Sequence, residues 1–190
     1  MKLSTLLNRT GLWGEKMKGE LKIGEMIRTI PDFPKPGIHF KDITPLLKDS
    51  EAFGECIRLL ADKYRDKNIS VIAAAEARGF IIGSALAFEI GAGFVPMRKP
   101  GKLPHKTLKH EFTLEYGKDA FEIHQDAVSR GERVLIFDDV LATGGTANAA
   151  AQMIEKLGGE IVGLAFLVEI EKLKGRDKLQ KHDVFSLIKC

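Results

Sequence analysis

RVLIFDDVLATGGTANAA, residues 133–150, sets an apolar run against two adjacent acids, Asp138 and Asp139, then turns through Thr143-Gly144-Gly145-Thr146 into an alanine-rich segment. RVLIFDD reads as a buried strand, and TANAAAQMIEKLGG reads as a helix stopped by glycine. In an open parallel sheet, ligands sit beyond the carboxyl ends of the strands, so this strand delivers Asp138 and Asp139 to a ligand edge. Within Ala142, Thr143, Gly144, Gly145 and Thr146, glycines let the backbone approach an anion closely. The helix N-terminus that follows supplies N–H groups and positive potential. Thr143 and Thr146 add hydroxyl donors, whereas the acids repel phosphate and suit sugar hydroxyls or a hydrated metal ion. The stretch reads as a grip for a phosphorylated sugar. The plain alternative, Asp138 capping a turn that the glycines permit, would leave two buried acids side by side at a cost. No GxxxxGK[ST] occurs, and no GxGxxG lies between a strand and a helix, so neither a Walker site nor a dinucleotide fold is supported.

Outward from this stretch the same alternation continues. ISVIAAA is a buried strand, EARGF leads into a helix FIIGSALAFEI closed by Gly91, and FVPM is the next strand, which implies a parallel pair. Downstream, EIVGLAFLVE and VFSLIK are further strands. The pattern predicts an α/β fold with a mostly parallel central sheet flanked by helices. Nearer the N-terminus, Leu21, Ile23, Met26, Ile27 and Ile30 predict a short helix ending at Pro31, followed by the proline-rich loop PDFPKPG. Asp49 or Ser50 caps a helix whose Phe53, Ile57, Leu60 and Tyr64 share one face. RKPGKLPHKTLKH, residues 98–110, reads as a mobile basic surface loop that invites an anion. EFTLEY and AFEIH alternate apolar and polar positions about Gly117-Lys118-Asp119, which predicts an antiparallel hairpin.

The chain of 190 residues has 29 basic and 26 acidic side chains, far from the basic excess of a protein that coats nucleic acid. Two cysteines, Cys56 and Cys190, make no disulfide framework, and no apolar run approaches the roughly 20 residues of a membrane span. A reducing, cytoplasmic setting is expected, with neither membrane nor nucleic acid as partner. Residues 1–20 read as an extension or frayed helix, with an organellar transit peptide and a start at Met17 as alternatives. Residues 21–190 read as one domain.

VLIFDDVLATGGT resembles the diphosphoribosyl-binding signature of type I phosphoribosyltransferases. PDFPKPGIHFKDITPLL, EARGFIIG, RKPGKLPHKT and LEYGK occur in the order and approximate spacing found in adenine phosphoribosyltransferases, so the resemblance spans about residues 21–189. It implies the type I fold with a small base-binding hood, mainly residues 21–45, and an antiparallel flap. It also implies transfer of a 5-phosphoribosyl group from phosphoribosyl diphosphate to adenine, forming AMP and diphosphate with Mg2+, by a homodimer.

The resemblance assigns roles residue by residue. Residues 142–146 would hold the 5-phosphate, with Asp138 and Asp139 at the ribose hydroxyls or meeting magnesium through water. Glu76, Ala77 and Arg78 would form the diphosphate loop, with a cis peptide between Glu76 and Ala77. An ion pair with a sheet-end acid is the alternative for Arg78. Arg98, Lys99 and Lys102 would belong to a flap that closes over the substrate, and solvation is their alternative. Such a lid suppresses hydrolysis as the C1–O bond breaks and ribose gains oxocarbenium character. Glu115 and Tyr116 would lie near the purine, with Glu115 positioning or protonating it; a plain hairpin edge is their alternative. Arg78 and Lys99 join Glu115 as the catalytic candidates.

Phe40 would stack on adenine and Lys41 would line the base site. His39 stands where the family usually has an aliphatic residue, and its backbone carbonyl and N–H would meet adenine N6 and N1. Rival readings are transfer to hypoxanthine or xanthine, a ligand-binding transcription regulator, and a sugar-phosphate-binding structural protein. The regulator needs a DNA-binding module, for which the residues before Leu21 are too few.

Overall fold

The structure, a computed structural model, describes Glu20, residues 22–114 and residues 117–190. They form two compact units, one ending at Leu59 and the other running from Leu60 to Cys190.

In the first unit, a helical turn over 22–25 precedes strand β1 (Arg28–Ile30), which pairs antiparallel with β2 (Phe40–Asp42). The helix expected up to Pro31 therefore stops short. Ile30 precedes a proline, which disfavours helical backbone, and Arg28 opposite Asp42 gains a cross-strand ion pair. Helix α1 (Thr44–Lys48) follows, then α2 (Ser50–Tyr64), where the division between the units falls. Asp49 Oδ1 accepts the Ala52 N–H at 2.8 Å, so the acid read as a cap is one.

Asp42 is tied from three sides. Its Oδ2 accepts from Arg28 Nη2 at 2.6 Å, its Oδ1 from the Thr44 N–H at 2.9 Å, and the Thr44 hydroxyl donates to Oδ2 at 3.0 Å. The Arg28 guanidinium, then the Thr44 N–H, hold this carboxyl down to about 2. A depressed folded-state value means a contribution to stability that is full above the unfolded value of about 3.9 and is lost as pH falls toward 2. Asp42→Asn should lower the melting temperature at pH 6, with the gap from wild type closing as pH approaches 2. Melts at stepped pH read this, and a gap independent of pH would refute it.

The second unit is built on a five-stranded, wholly parallel sheet in the order β4-β3-β7-β8-β9. Its strands are β3 (Val71–Ala75), β4 (Gly93–Met97), β7 (Arg133–Leu141), β8 (Glu160–Glu169) and β9 (Val184–Lys189). Every residue of β3 is buried, as a strand covered on both faces requires. Alternation sends Ala73, Ala75, Val134, Ile136 and Phe166 into a core with Ala147, Ala150, Ala151 and Ile154 of helix α4 (Gly145–Leu157). Helix α3 (Arg78–Ile90) serves the opposite face, where Gly83 lies over Ala74 and Phe137.

The antiparallel pair β5 (Thr107–Leu114) and β6 (Gly117–His124) forms its own two-stranded sheet. Two expectations change here. The loop foreseen to residue 110 already becomes strand at Thr107, because Leu108 and Phe112 reach the core at a period of two. Gly117, Lys118 and Asp119 are strand rather than turn, since Thr113 pairs with Lys118 and Leu114 with Gly117. Between β8 and β9, residues 170–183 contain two 3-10 turns, Glu171–Leu173 and Gly175–Lys178, and no α-helix.

Candidate active site

The carboxyl end of β7 carries the site. Asp139 is buried and Asp138 half-buried, and the Asp139 N–H donates to Asp138 Oδ1 at 2.9 Å. Burial, then the neighbouring Asp139 charge, push the Asp138 carboxyl well above the usual carboxylate range. Burial raises Asp139 as well, with the Arg78 charge pulling the other way. As a pair they hold a proton more tightly than free aspartates, because two adjacent acids out of water resist double ionisation.

Arg78 Nε stands 2.8 Å from Asp139 Oδ2, an ion pair by distance that lies off the direction of a hydrogen bond. Oδ2 is thus a buried oxygen without a hydrogen-bond donor, the state a donating hydroxyl or a hydrated cation would relieve. The ion pair considered as the alternative for Arg78 is present, and about a third of the Arg78 side chain remains exposed.

The 76–80 loop meets these acids directly. The Glu76–Ala77 peptide is cis, as the resemblance implied. A Cβ on Gly79 would lie 3.0 Å from Asp138 Oδ1 and 3.5 Å from Asp138 Cα, so a side chain there would crowd Asp138 where α3 starts against the end of β7. Glu76 accepts from Arg98 Nε at 2.7 Å, which joins this loop to the residue that follows β4.

Beyond Leu141 the backbone bends through residues 142–146, read in the sequence as a phosphate grip. Gly144 is the N-cap of α4 with φ +75°, and the helix start has no side-chain cap there. The first-turn N–H groups of α4 therefore meet no N-cap side chain that would compete with an anion. Ala142, Thr143, Gly145 and Thr146 are half-buried around Gly144.

Arg98 and Lys99, read in the sequence as flap residues, are held rather than free. Arg98 exchanges both backbone hydrogen bonds with Glu122, and its Nη1 donates to the Lys102 carbonyl at 3.1 Å. Lys99 is ion-paired to Asp119 with its Nζ 5.0 Å from the Phe121 ring centroid, while part of its side chain stays exposed. The Lys102 residue is exposed. Among the predicted residues of the second unit, Arg78 meets Asp139, Arg98 meets Glu76, residues 142–146 follow directly beyond β7, and Lys99 is turned to Asp119. Glu115 and Tyr116 lie outside the described residues.

His39, Phe40 and Lys41 belong to the first unit. His39 is exposed, and Phe40 is half-buried with the Phe33 ring edge-on at 5.1 Å between centroids. Lys41 Nζ donates to Thr29 Oγ1 at 3.0 Å. The loop is braced by the Gly37 N–H on Asp32 Oδ1 at 2.7 Å and by the Phe33 N–H on the Ile38 carbonyl at 3.2 Å.

Three features escaped the reading of the sequence: the aromatic neighbour Phe33, the anchor Asp119, and Gly175, whose backbone packs against residues 142–144. The last had a signal. A lone glycine among charges, EKLKGRDK, sits in a strand-to-strand crossover that holds no α-helix.

The phosphoribosyl transferase domain model matches residues 43–189. An adenine phosphoribosyltransferase of Caldanaerobacter subterraneus subsp. tengcongensis is 58% identical over 167 residues, 88% of this chain and 96% of that protein. The crystal structure of adenine phosphoribosyltransferase from Thermoanaerobacter pseudethanolicus superposes with a TM-score of 0.88 at 55% identity, over 90% of this chain and 99% of that one. The Saccharomyces cerevisiae enzyme, complexed with an imino-altritol bisphosphate and adenine, gives a TM-score of 0.85 at 37% identity, over 90% and 99% of the two chains.

Proposed function

The chain belongs to the phosphoribosyl transferase domain family, and from that premise we propose that it transfers the 5-phosphoribosyl group of phosphoribosyl diphosphate to adenine, giving AMP and diphosphate in purine salvage. The observation that carries this reading is the end of β7, where two acids with raised proton affinity and an undonated carboxylate oxygen stand beside an uncapped helix N-terminus. An anion grip and a hydroxyl grip lie within a few residues of each other, which is what a sugar phosphate requires.

In this reading residues 142–146 hold the 5-phosphate and Asp138 and Asp139 accept from the ribose hydroxyls. Glu76, Ala77 and Arg78 present the diphosphate loop. Arg98, Lys99 and Lys102 belong to the lid, where diphosphate competes with Glu76 for Arg98 and with Asp119 for Lys99. Glu115 and Tyr116 are assigned to the purine end. Phe40 stacks on adenine with Phe33 as an edge-on neighbour, Lys41 lines the base site, and the His39 backbone reads N6 and N1. The exposure of the His39 side chain supports a backbone role. Hypoxanthine reverses both hydrogen-bond complements, at about 1–3 kcal/mol for each mismatched buried group.

Magnesium suits this donor set. The carboxylates are hard oxygen ligands, and Asp138 and Asp139 would meet the ion through water while substrate oxygens supply the rest. When bound, the ion neutralises charge on the leaving diphosphate. Among the described residues no group of three or more His, Cys, Asp or Glu could hold a metal ion by itself, so the substrate is assigned the larger share of the ligands.

No helix among the described residues is long and apolar enough to cross a membrane. Both cysteines are free, which supports the cytoplasm. A homodimer is supported by α3, whose outward face carries Ile81, Ser84 and Phe88, the last 88% exposed. Sedimentation velocity of the whole protein should return twice the single-chain mass, and a single-chain mass at micromolar concentration would refute this.

The function is tested by AMP formation from phosphoribosyl diphosphate, magnesium and adenine beside hypoxanthine, guanine and xanthine. Selective turnover of adenine is expected. Turnover of another base in its place would overturn the base reading, and binding without turnover would favour a regulator.

A further inference from the structure

Residues 170–183 connect two parallel strands without the helix such a crossover usually carries, yet they are tightly held. The Ile170 N–H donates to the Leu141 carbonyl at 2.9 Å, so the segment starts beside the last residue of β7. Gly175 is buried. A Cβ on it would lie 2.3 Å from the Ala142 carbonyl oxygen and 3.0 Å from the Gly144 nitrogen. Its neighbour Arg176 is fixed by a fork. Nε donates to Glu169 Oε1 at 2.6 Å, Nη2 to Glu169 Oε2 at 2.7 Å, and Nη1 to the Val184 carbonyl at 2.7 Å. The second acceptor strand contributes again through Ser186 Oγ, 3.4 Å from Nη2.

Glu169 is the last residue of β8 and is 4% exposed. A carboxylate at such a place costs free energy unless it is matched, and a bidentate guanidinium is the best match available to it. The Arg176 bonds run to β8 and β9 and not to the acids of β7 or the flap. What the pair fixes is the backbone beside it, since Arg176 ties β8 to β9 while Gly175 lies against the phosphate grip.

We propose that Glu169 and Arg176 are positioning residues for the 5-phosphate, acting through Gly175 to set the backbone of residues 142–144. This rests on the reading that residues 142–146 hold the 5-phosphate. The proposal separates two kinds of ligand. AMP and ribose 5-phosphate engage the grip, whereas diphosphate, placed by the 76–80 loop and the lid, does not. A general loosening of the fold would weaken all three.

The test is calorimetric titration of AMP, ribose 5-phosphate and magnesium diphosphate into the full-length protein with Glu169→Gln or Arg176→Lys. Glu169→Gln keeps one acceptor and the shape; Arg176→Lys keeps the charge and loses the fork. Melting curves identify a variant that has lost its fold, and the other then carries the comparison. Affinity for AMP and ribose 5-phosphate should fall about tenfold, roughly the loss of one hydrogen bond to a charged group, with diphosphate affinity unchanged. In turnover, KM for phosphoribosyl diphosphate should rise while kcat stays near wild type.

Unchanged affinity for both 5-phosphate ligands in a folded variant would overturn the proposal, and so would an equal loss for all three. A third variant, Thr143→Val with Thr146→Val, separates the causes. If it weakens AMP binding while the Glu169 and Arg176 variants do not, only the positioning role falls. If it also leaves AMP binding intact, the assignment of the grip falls and takes the positioning role with it.

Discussion

Asp138→Asn combined with Asp139→Asn is expected to lower kcat/KM for AMP formation by about 10²- to 10⁴-fold, taking each lost charged acceptor at about 1.5–3 kcal/mol. The melting temperature should hold or rise. Both parts follow from the same geometry. Asp139 is buried and Asp138 half-buried beside it, and burial raises the proton affinity of each, so the native fold bears their desolvation and mutual repulsion. Asparagine keeps the shape and removes the charge. Arg78 loses an ion-pair partner, yet a third of its side chain is exposed and water can take the vacated place. What disappears is the pair of carboxyl acceptors at the carboxyl end of β7, which the proposed function assigns to the ribose hydroxyls, beside the positive character that would develop as the C1–O bond breaks. Steady-state assays beside thermal melts check both parts. A folded double variant with near-wild-type transfer would remove the acids from the mechanism.

The second large effect belongs to Gly144→Ala. With φ +75°, any side chain there costs about 1–2 kcal/mol from backbone sterics alone. The contact is worse than the torsion. The added Cβ would lie 2.3 Å from the Gly175 carbonyl oxygen and 3.1 Å from its carbon, both backbone atoms, so no rotamer change relieves it. Either the grip or the 170–183 segment must move, and in both cases the N–H groups that open α4 leave their places. AMP affinity should therefore fall by tenfold or more, about 1.4 kcal/mol or above, together with a loss of thermal stability. Calorimetry and melting curves read the two effects. Wild-type AMP affinity in this variant would mean that the phosphate is held elsewhere.

Most of the parallel sheet was legible in the sequence because its strands are continuous apolar runs bounded by glycine or charge, as in SVIAAAE and RVLIFDD. The grip was legible for a related reason, since its acids, glycines and threonines are consecutive and need no long-range partner. The start of β5 was not. Lys106, Lys109 and His110 give 106–110 the composition of a loop, and only pairing with β6 turns Leu108 and Phe112 into one buried face. Lys99 shows the same limit. Its motif position suggested a ligand, but its partner Asp119 lies across the flap pairing, 20 residues away. Glu169 and Arg176 are seven residues apart in a stretch with no helical or strand period, so their fork depends on the crossover that folds them together. At Ile30 the apolar spacing of a helix and the proline that follows it point opposite ways, and the proline decides.

The contact between Gly144 and Gly175 also constrains how such a protein could change over time. A Cβ on Gly144 would strike the Gly175 carbonyl and one on Gly175 would strike the Ala142 carbonyl, both backbone atoms, so neither position can be exchanged first and rescued later by trimming a neighbouring side group. Compensation would require a different loop length or path on one side. Point mutation alone therefore offers no stepwise route out of this pair, and the two positions are expected to behave as one inherited unit in any library that varies them independently.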